Sequence, residues 1–123
     1  MFSIRVERVF SAAHAIVIQG TEEVLHGHDW RVRVTLEASA LDSDGMVCDF
    51  HAVEQAVDAI LAPFHNANLN ETPPFDTLNP TAEHVAMHIA QSLQATLPVS
   101  VTAVVAAVTE APGCEARCRL ERS

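Results

Sequence analysis

Two stretches of two-residue alternation constrain this chain more than any other feature. Residues 2 to 14 set Phe2, Ile4 and Val6 against Ser3, Arg5 and Glu7. Residues 30 to 39 set Trp30, Val32, Val34 and Leu36 against Arg31, Arg33, Thr35 and Glu37. Side chains alternate sides along an extended strand, so each stretch reads as a strand with one buried face. The simplest arrangement is an antiparallel hairpin with a long connection, and a loop of that length in a compact domain is usually functional.

That connection and its flanks hold three histidines. His26 and His28 in Leu25-His26-Gly27-His28 are one residue apart and face the same side of an extended strand. His14 ends a run whose Phe10 and Ala12 share its face, and an antiparallel return through residues 15 to 25 would set it opposite the pair. Three neutral imidazoles converging on one point make a zinc site with the fourth tetrahedral position open, the catalytic pattern. A bound zinc ion at such a position lowers the pKa of water or of a hydroxyl and polarises a carbonyl. The bland alternative is a chance pair in a loop beside a satisfied core histidine.

Composition removes several function classes. The 123 residues fit one domain over residues 1 to 123, and with 49% apolar residues the chain is expected to be globular. No apolar run approaches the ~20 residues that span a bilayer, and no secretory leader pattern is found, so a cytoplasmic location without membrane association is expected. Cys48, Cys114 and Cys118 lack CxxC spacing and suggest neither a disulfide framework nor a cysteine zinc site. The net charge is −9 with seven basic residues, all of them arginine, which disfavours nucleic acid as a partner. Arg5, Arg8, Arg31 and Arg33 flank the histidine loop and could form a basic patch for a small anion, or be solvated residues on strand faces.

Asp42-Ser43-Asp44-Gly45 is turn chemistry, and Asp49 is placed to cap the next helix. Val53, Ala56, Val57, Ile60, Leu61 and Phe64 recur at helical spacing, which predicts a helix over residues 50 to 62 ending near Pro63. Residues 65 to 79 read as an irregular loop, and Asn79-Pro80 opens a second helix with the stripe Ala82, Val85, Ala86, Ile89, Ala90, Leu93 and Leu97. His84 and His88 fall on its opposite face, expected to face solvent. Residues 99 to 109 are apolar at both parities, a strand covered on both faces, ended by Glu110. After Ala111-Pro112-Gly113, residues 115 to 122 form a last strand. The order strand, strand, helix, helix, strand, strand predicts an α+β fold, one four-stranded antiparallel sheet with two helices on one face. Its other face then needs a cover, which predicts a homo-oligomer.

In order and spacing, Phe10-Ser11-Ala12-Ala13-His14, Leu25-His26-Gly27-His28, Gly45-Met46-Val47 with Asp49-Phe50, Leu69-Asn70, Asn79-Pro80-Thr81-Ala82-Glu83, and Glu110 with Pro112 resemble the 6-pyruvoyltetrahydropterin synthase and 6-carboxytetrahydropterin synthase family over nearly the whole chain. The resemblance implies the tunnelling fold, in which three chains join their sheets into a barrel and two trimers stack into a hexamer. It implies zinc (Zn2+) on His14, His26 and His28, sites at subunit interfaces, a pterin substrate (7,8-dihydroneopterin triphosphate) and a zinc-dependent lyase. The family's pterin anchor falls on Glu110, whose carboxylate can accept two hydrogen bonds from the pterin edge.

Two positions depart from the usual pattern. Glu22 stands where the family's catalytic cysteine is common, while Glu23-Val24-Leu25-His26-Gly27 matches a variant class with a glutamate three residues before the histidine, which makes Glu23 the expected general base. The family's Asp-His relay becomes His65-Asn66; asparagine is neither acid nor base, so His65 is the remaining proton-transfer residue there. These changes, and the absence of lysine, leave two expectations: a lyase acting on dihydroneopterin or its triphosphate, or a non-catalytic, repurposed pterin-binding homologue.

Overall fold

The computed structural model describes residues 1–122. Strand β1 (Phe2–His14) runs into a two-residue hairpin, β2 (Val17–Ile18) and β3 (Thr21–Glu22), and the chain returns as β4 (His26–Ala38). Gln19 and Gly20 turn that hairpin, both with positive φ (52° and 80°), the backbone of a type I′ turn. Helix α1 (Phe50–Leu61) follows, then β5 (Ala67–Asn68), one 3-10 turn over Leu69–Glu71, helix α2 (Ala82–Gln94), β6 (Ala103–Ala111) and β7 (Cys114–Glu121). The four long strands are antiparallel neighbours in the order β1, β4, β6, β7, and β5 adds two residues parallel to β1 at its outer edge.

Both helices pack on one face. Their stripes bury Val53, Val57 and Leu61 from α1, and Val85, Ala86, Ile89, Ala90 and Leu93 from α2. They meet Phe10, Trp30, Val32, Val34, Leu36, Val104, Ala106 and Val108, the inward parity of β1, β4 and β6. Asp49 caps α1 by accepting from the His51 N–H at 3.0 Å. The cap of α2 is Thr81, whose hydroxyl accepts from the His84 N–H at 3.1 Å, so Pro80 precedes the helix instead of opening it. Nor do His84 and His88 stand on a solvent face. His84 Nδ1 bonds the Asn79 carbonyl at 2.7 Å, and His88 lies edge-on to Phe64 and Phe75 at 5.5 and 5.6 Å between ring centres.

The second face of the sheet is charged, so the need for an apolar cover does not arise there. Arg33 on β4 pairs with Glu115 on β7 at 3.0 Å, and Arg119 on β7 pairs with Glu37 on β4 at 2.8 Å. Both pairs span β6, whose Ala103, Val105 and Ala107 lie between them and are almost fully buried. Long arginine stems thus cover the small residues that made β6 read as apolar on both sides. Of the four arginines that could form a basic patch, Arg8, Arg31 and Arg33 are each paired with carboxylates. Arg8 is on the helix side, paired with Asp58 and Glu54 of α1, and Arg33 is also held by Glu7. No helix among the described residues is long and apolar enough to cross a membrane.

Candidate metal centre

The β1–β4 register builds the centre. His14 lies directly opposite His26, Ala12 opposite His28 and Phe10 opposite Trp30, so three imidazoles stand on one face above the indole. Their ring centres are 4.6 to 5.1 Å apart. Trp30 is fully buried beneath them, edge-on to His14 and His28, and its Nε1–H donates to the Ala12 carbonyl at 3.2 Å.

Backbone carbonyls set the tautomers. His14 Nδ1–H donates to the Pro80 carbonyl and His26 Nδ1–H to the Val24 carbonyl, each at 2.8 Å. Since a carbonyl only accepts, the proton sits on Nδ1 and the Nε2 lone pair is free to ligate, the usual outer support of a metal histidine. Burial holds His28 below the ordinary histidine range, despite the opposing pull of Glu110, and so keeps it neutral as a ligand must be.

Glu110 joins from β6. The β6–β7 pairing shifts register between Thr109 and Ala111, and Glu110 keeps the parity of Val108 and Ala106, the helix side. Its Oε1 stands 3.6 Å from His28 Nε2 and 3.9 Å from His14 Nε2. One ligand atom from each of His14, His26, His28 and Glu110 falls within 4.8 Å of all the others. The Nε2 atoms of His14 and His28 are buried without a hydrogen-bond partner. Buried ring nitrogens without a partner are costly, about 1–3 kcal/mol for each orphaned group, and a shared cation relieves them, so this donor set fits zinc.

Glu23 stands at the rim. Its Oε1 accepts from the Ile16 N–H at 3.1 Å and lies 3.7 Å from His26 Nε2. His65 is not brought into this cluster. Its Nδ1 accepts from the Ser11 N–H at 3.3 Å, and it lines a different cleft with Arg8, Phe10 and Asp58. Asn66, at φ 59°, bonds the Ser11 carbonyl through its N–H at 2.6 Å. Glu110 opens onto a cleft of about 360 Å³ lined also by Ile16, Thr81, Glu83, Cys114 and Glu115.

Two asparagines hold the loop after His14. Asn70 accepts from the Ala15 N–H and donates to the Ala15 carbonyl, both at 2.8 Å, and Asn79 does the same to Val17 at 2.9 and 3.0 Å. Each side-chain amide stands in for a strand neighbour. Both fall in the motifs quoted above, where the sequence alone assigned them no role; an Asn directly beside Leu69 and another directly beside Pro80 was the available signal.

A family model described as 6-pyruvoyl tetrahydropterin synthase matches residues 3–121. An Archaeoglobus fulgidus protein provisionally named 6-carboxy-5,6,7,8-tetrahydropterin synthase is 31% identical over 84 residues, 68% of this chain and 69% of that protein. Among solved structures, a Plasmodium vivax 6-pyruvoyltetrahydropterin synthase superposes with a TM-score of 0.81 at 20% identity over 98% of both chains. A Caenorhabditis elegans 6-pyruvoyl tetrahydropterin synthase does so with 0.74 at 23% identity, over 100% of this chain and 98% of that one. A further Plasmodium vivax structure carries alanine in place of a glutamate that its description calls a catalytic residue.

Proposed function

The chain belongs to the 6-pyruvoyl tetrahydropterin synthase family, and from that premise we propose that it is a zinc-dependent lyase acting on the side chain of 7,8-dihydroneopterin or its triphosphate. The observation that carries this reading is the convergence of three histidine Nε2 atoms beside Glu110. His14, His26 and His28 would hold the zinc, which when bound supplies a Lewis acid that acidifies a side-chain hydroxyl. Glu110 holds the amino and ring N–H edge of the pterin. Glu23, fixed by the Ile16 N–H beside His26, takes and returns the side-chain proton, in keeping with the catalytic glutamate named for the Plasmodium vivax relative. His65 serves a site completed by a neighbouring copy, in a homohexamer of two stacked trimers working in the cytoplasm.

The test is incubation of zinc-loaded protein with 7,8-dihydroneopterin and with its triphosphate, products followed by mass spectrometry. Turnover that falls about 10²–10⁴-fold in Glu23→Gln with pterin binding retained is expected. No turnover of either form removes the lyase reading. A second reading, a repurposed pterin binder, is favoured by Asn66 at the relay position and by the engagement of His65 with Ser11. It predicts pterin binding that disappears in Glu110→Ala with no turnover to lose.

A further inference from the structure

We propose that Glu110 is the fourth protein ligand of the metal in the ligand-free protein, and that pterin binding opens the metal by drawing Glu110 away. The inference rests on the zinc reading above and adds to it a closed resting state. Ligand atoms of a four-coordinate zinc at ~2.0–2.2 Å stand about 3.3–3.6 Å from one another. Glu110 Oε1 is 3.6 Å from His28 Nε2 and 3.9 Å from His14 Nε2, within a few tenths of that spacing.

The protons argue the same way. His14 has its proton on Nδ1, committed to the Pro80 carbonyl, so its Nε2 offers no hydrogen to the carboxylate. The Nε2 atoms of His14 and His28 make no hydrogen bond, and His14 is fully buried. The Nε2 lone pair of buried His14 and the partnerless Nε2 of half-buried His28 thus face one carboxylate oxygen, an arrangement that a shared cation reconciles. The carboxylate has a second direction open to it, because Glu110 also lines the cleft with Thr81, Glu83 and Cys114. Receiving the pterin's amino group and ring N–H takes both carboxylate oxygens. Glu110 therefore cannot complete that contact while one oxygen is on the metal, and ring recognition vacates the coordination position that the substrate's side chain then uses.

Cobalt(II) in place of zinc reports this through its visible absorption, which depends on the ligand set. The full-length wild type, Glu110→Gln, Glu110→Ala and a His26→Ala control would be loaded, with folding checked by circular dichroism. The expected result is that both Glu110 variants lower zinc affinity at least about tenfold and shift the cobalt band before any pterin is added. Titration with oxidised neopterin shifts the band of the wild type. Affinity and band unchanged in both Glu110 variants overturn the proposal and leave the zinc reading standing. Wild type that takes up no more metal than His26→Ala overturns both.

Discussion

Replacing Trp30 with phenylalanine tests whether the metal centre and the core are one structure. Trp30 is fully buried, stacked on Phe10 with 5.7 Å between ring centres and 13° between planes, and it carries His14 and His28 on its edge. Phenylalanine keeps an aromatic ring against Phe10 but leaves unfilled the space of three ring atoms. At about 0.8 kcal/mol for each methylene-sized group, that loss is roughly 2 kcal/mol. The Nε1–H bond to the Ala12 carbonyl adds about 1 kcal/mol. The sum is about 3 kcal/mol, and for a domain of this length a melting temperature lower by roughly 10 °C. Urea and thermal melts at fixed protein concentration measure it, with zinc affinity followed in parallel because the indole edge positions two of the three imidazoles. A stability change under about 0.5 kcal/mol, or an unchanged zinc affinity beside a full loss of stability, refutes the claim that Trp30 is the floor of the site.

Burial between Phe64 and Phe75 pushes His88 below the ordinary histidine range, so the folded protein binds this proton more weakly than the unfolded chain. Its contribution to stability is intact above about pH 6.5 and is lost as pH falls toward the lowered folded value; His88→Leu should flatten the wild-type decline between neutral and mildly acid pH, and parallel curves would refute this. Gly20 has φ 80° with nothing within 4 Å of an added Cβ, so Gly20→Ala costs backbone strain alone, about 1–2 kcal/mol, and should speed amide exchange at Glu23, whose N–H bonds the Ile16 carbonyl. Alkylation at neutral pH followed by peptide mass spectrometry should label exposed Cys114 first, because burial pushes the Cys48 and Cys118 thiols up; equal rates for all three would contradict it.

The long elements were legible because their signals are local. Alternation across residues 2 to 14 and 30 to 39 marked β1 and β4, and the stripes from Val53 and from Val85 marked the two helices. Period decides which face is apolar, and that face is read without knowing what it packs on. Helix α2 began later than its proline suggested because a threonine hydroxyl was available to accept the His84 N–H, a bond that only coordinates reveal. Strand β5 was unreadable: two residues carry no period, and it exists because β1 offered an unpaired edge at Ala12 and Ala13.

By itself, then, the sequence determined the α+β order, the helix faces and the shared side of His26 and His28, since each depends only on residues close along the chain. The tertiary structure decided what those pieces meet. It set Glu110 of β6 within 3.6 Å of His28, 82 positions away, because β6 pairs with β4 and changes register at that residue. It paired Arg33 and Arg119 of the open face with carboxylates from other strands, brought His84 and His88 in from solvent, and left His65 beside Ser11 instead of among the metal ligands. Strand order, register and the direction of a long side chain follow from how the whole core closes, and no window of the sequence carries that information.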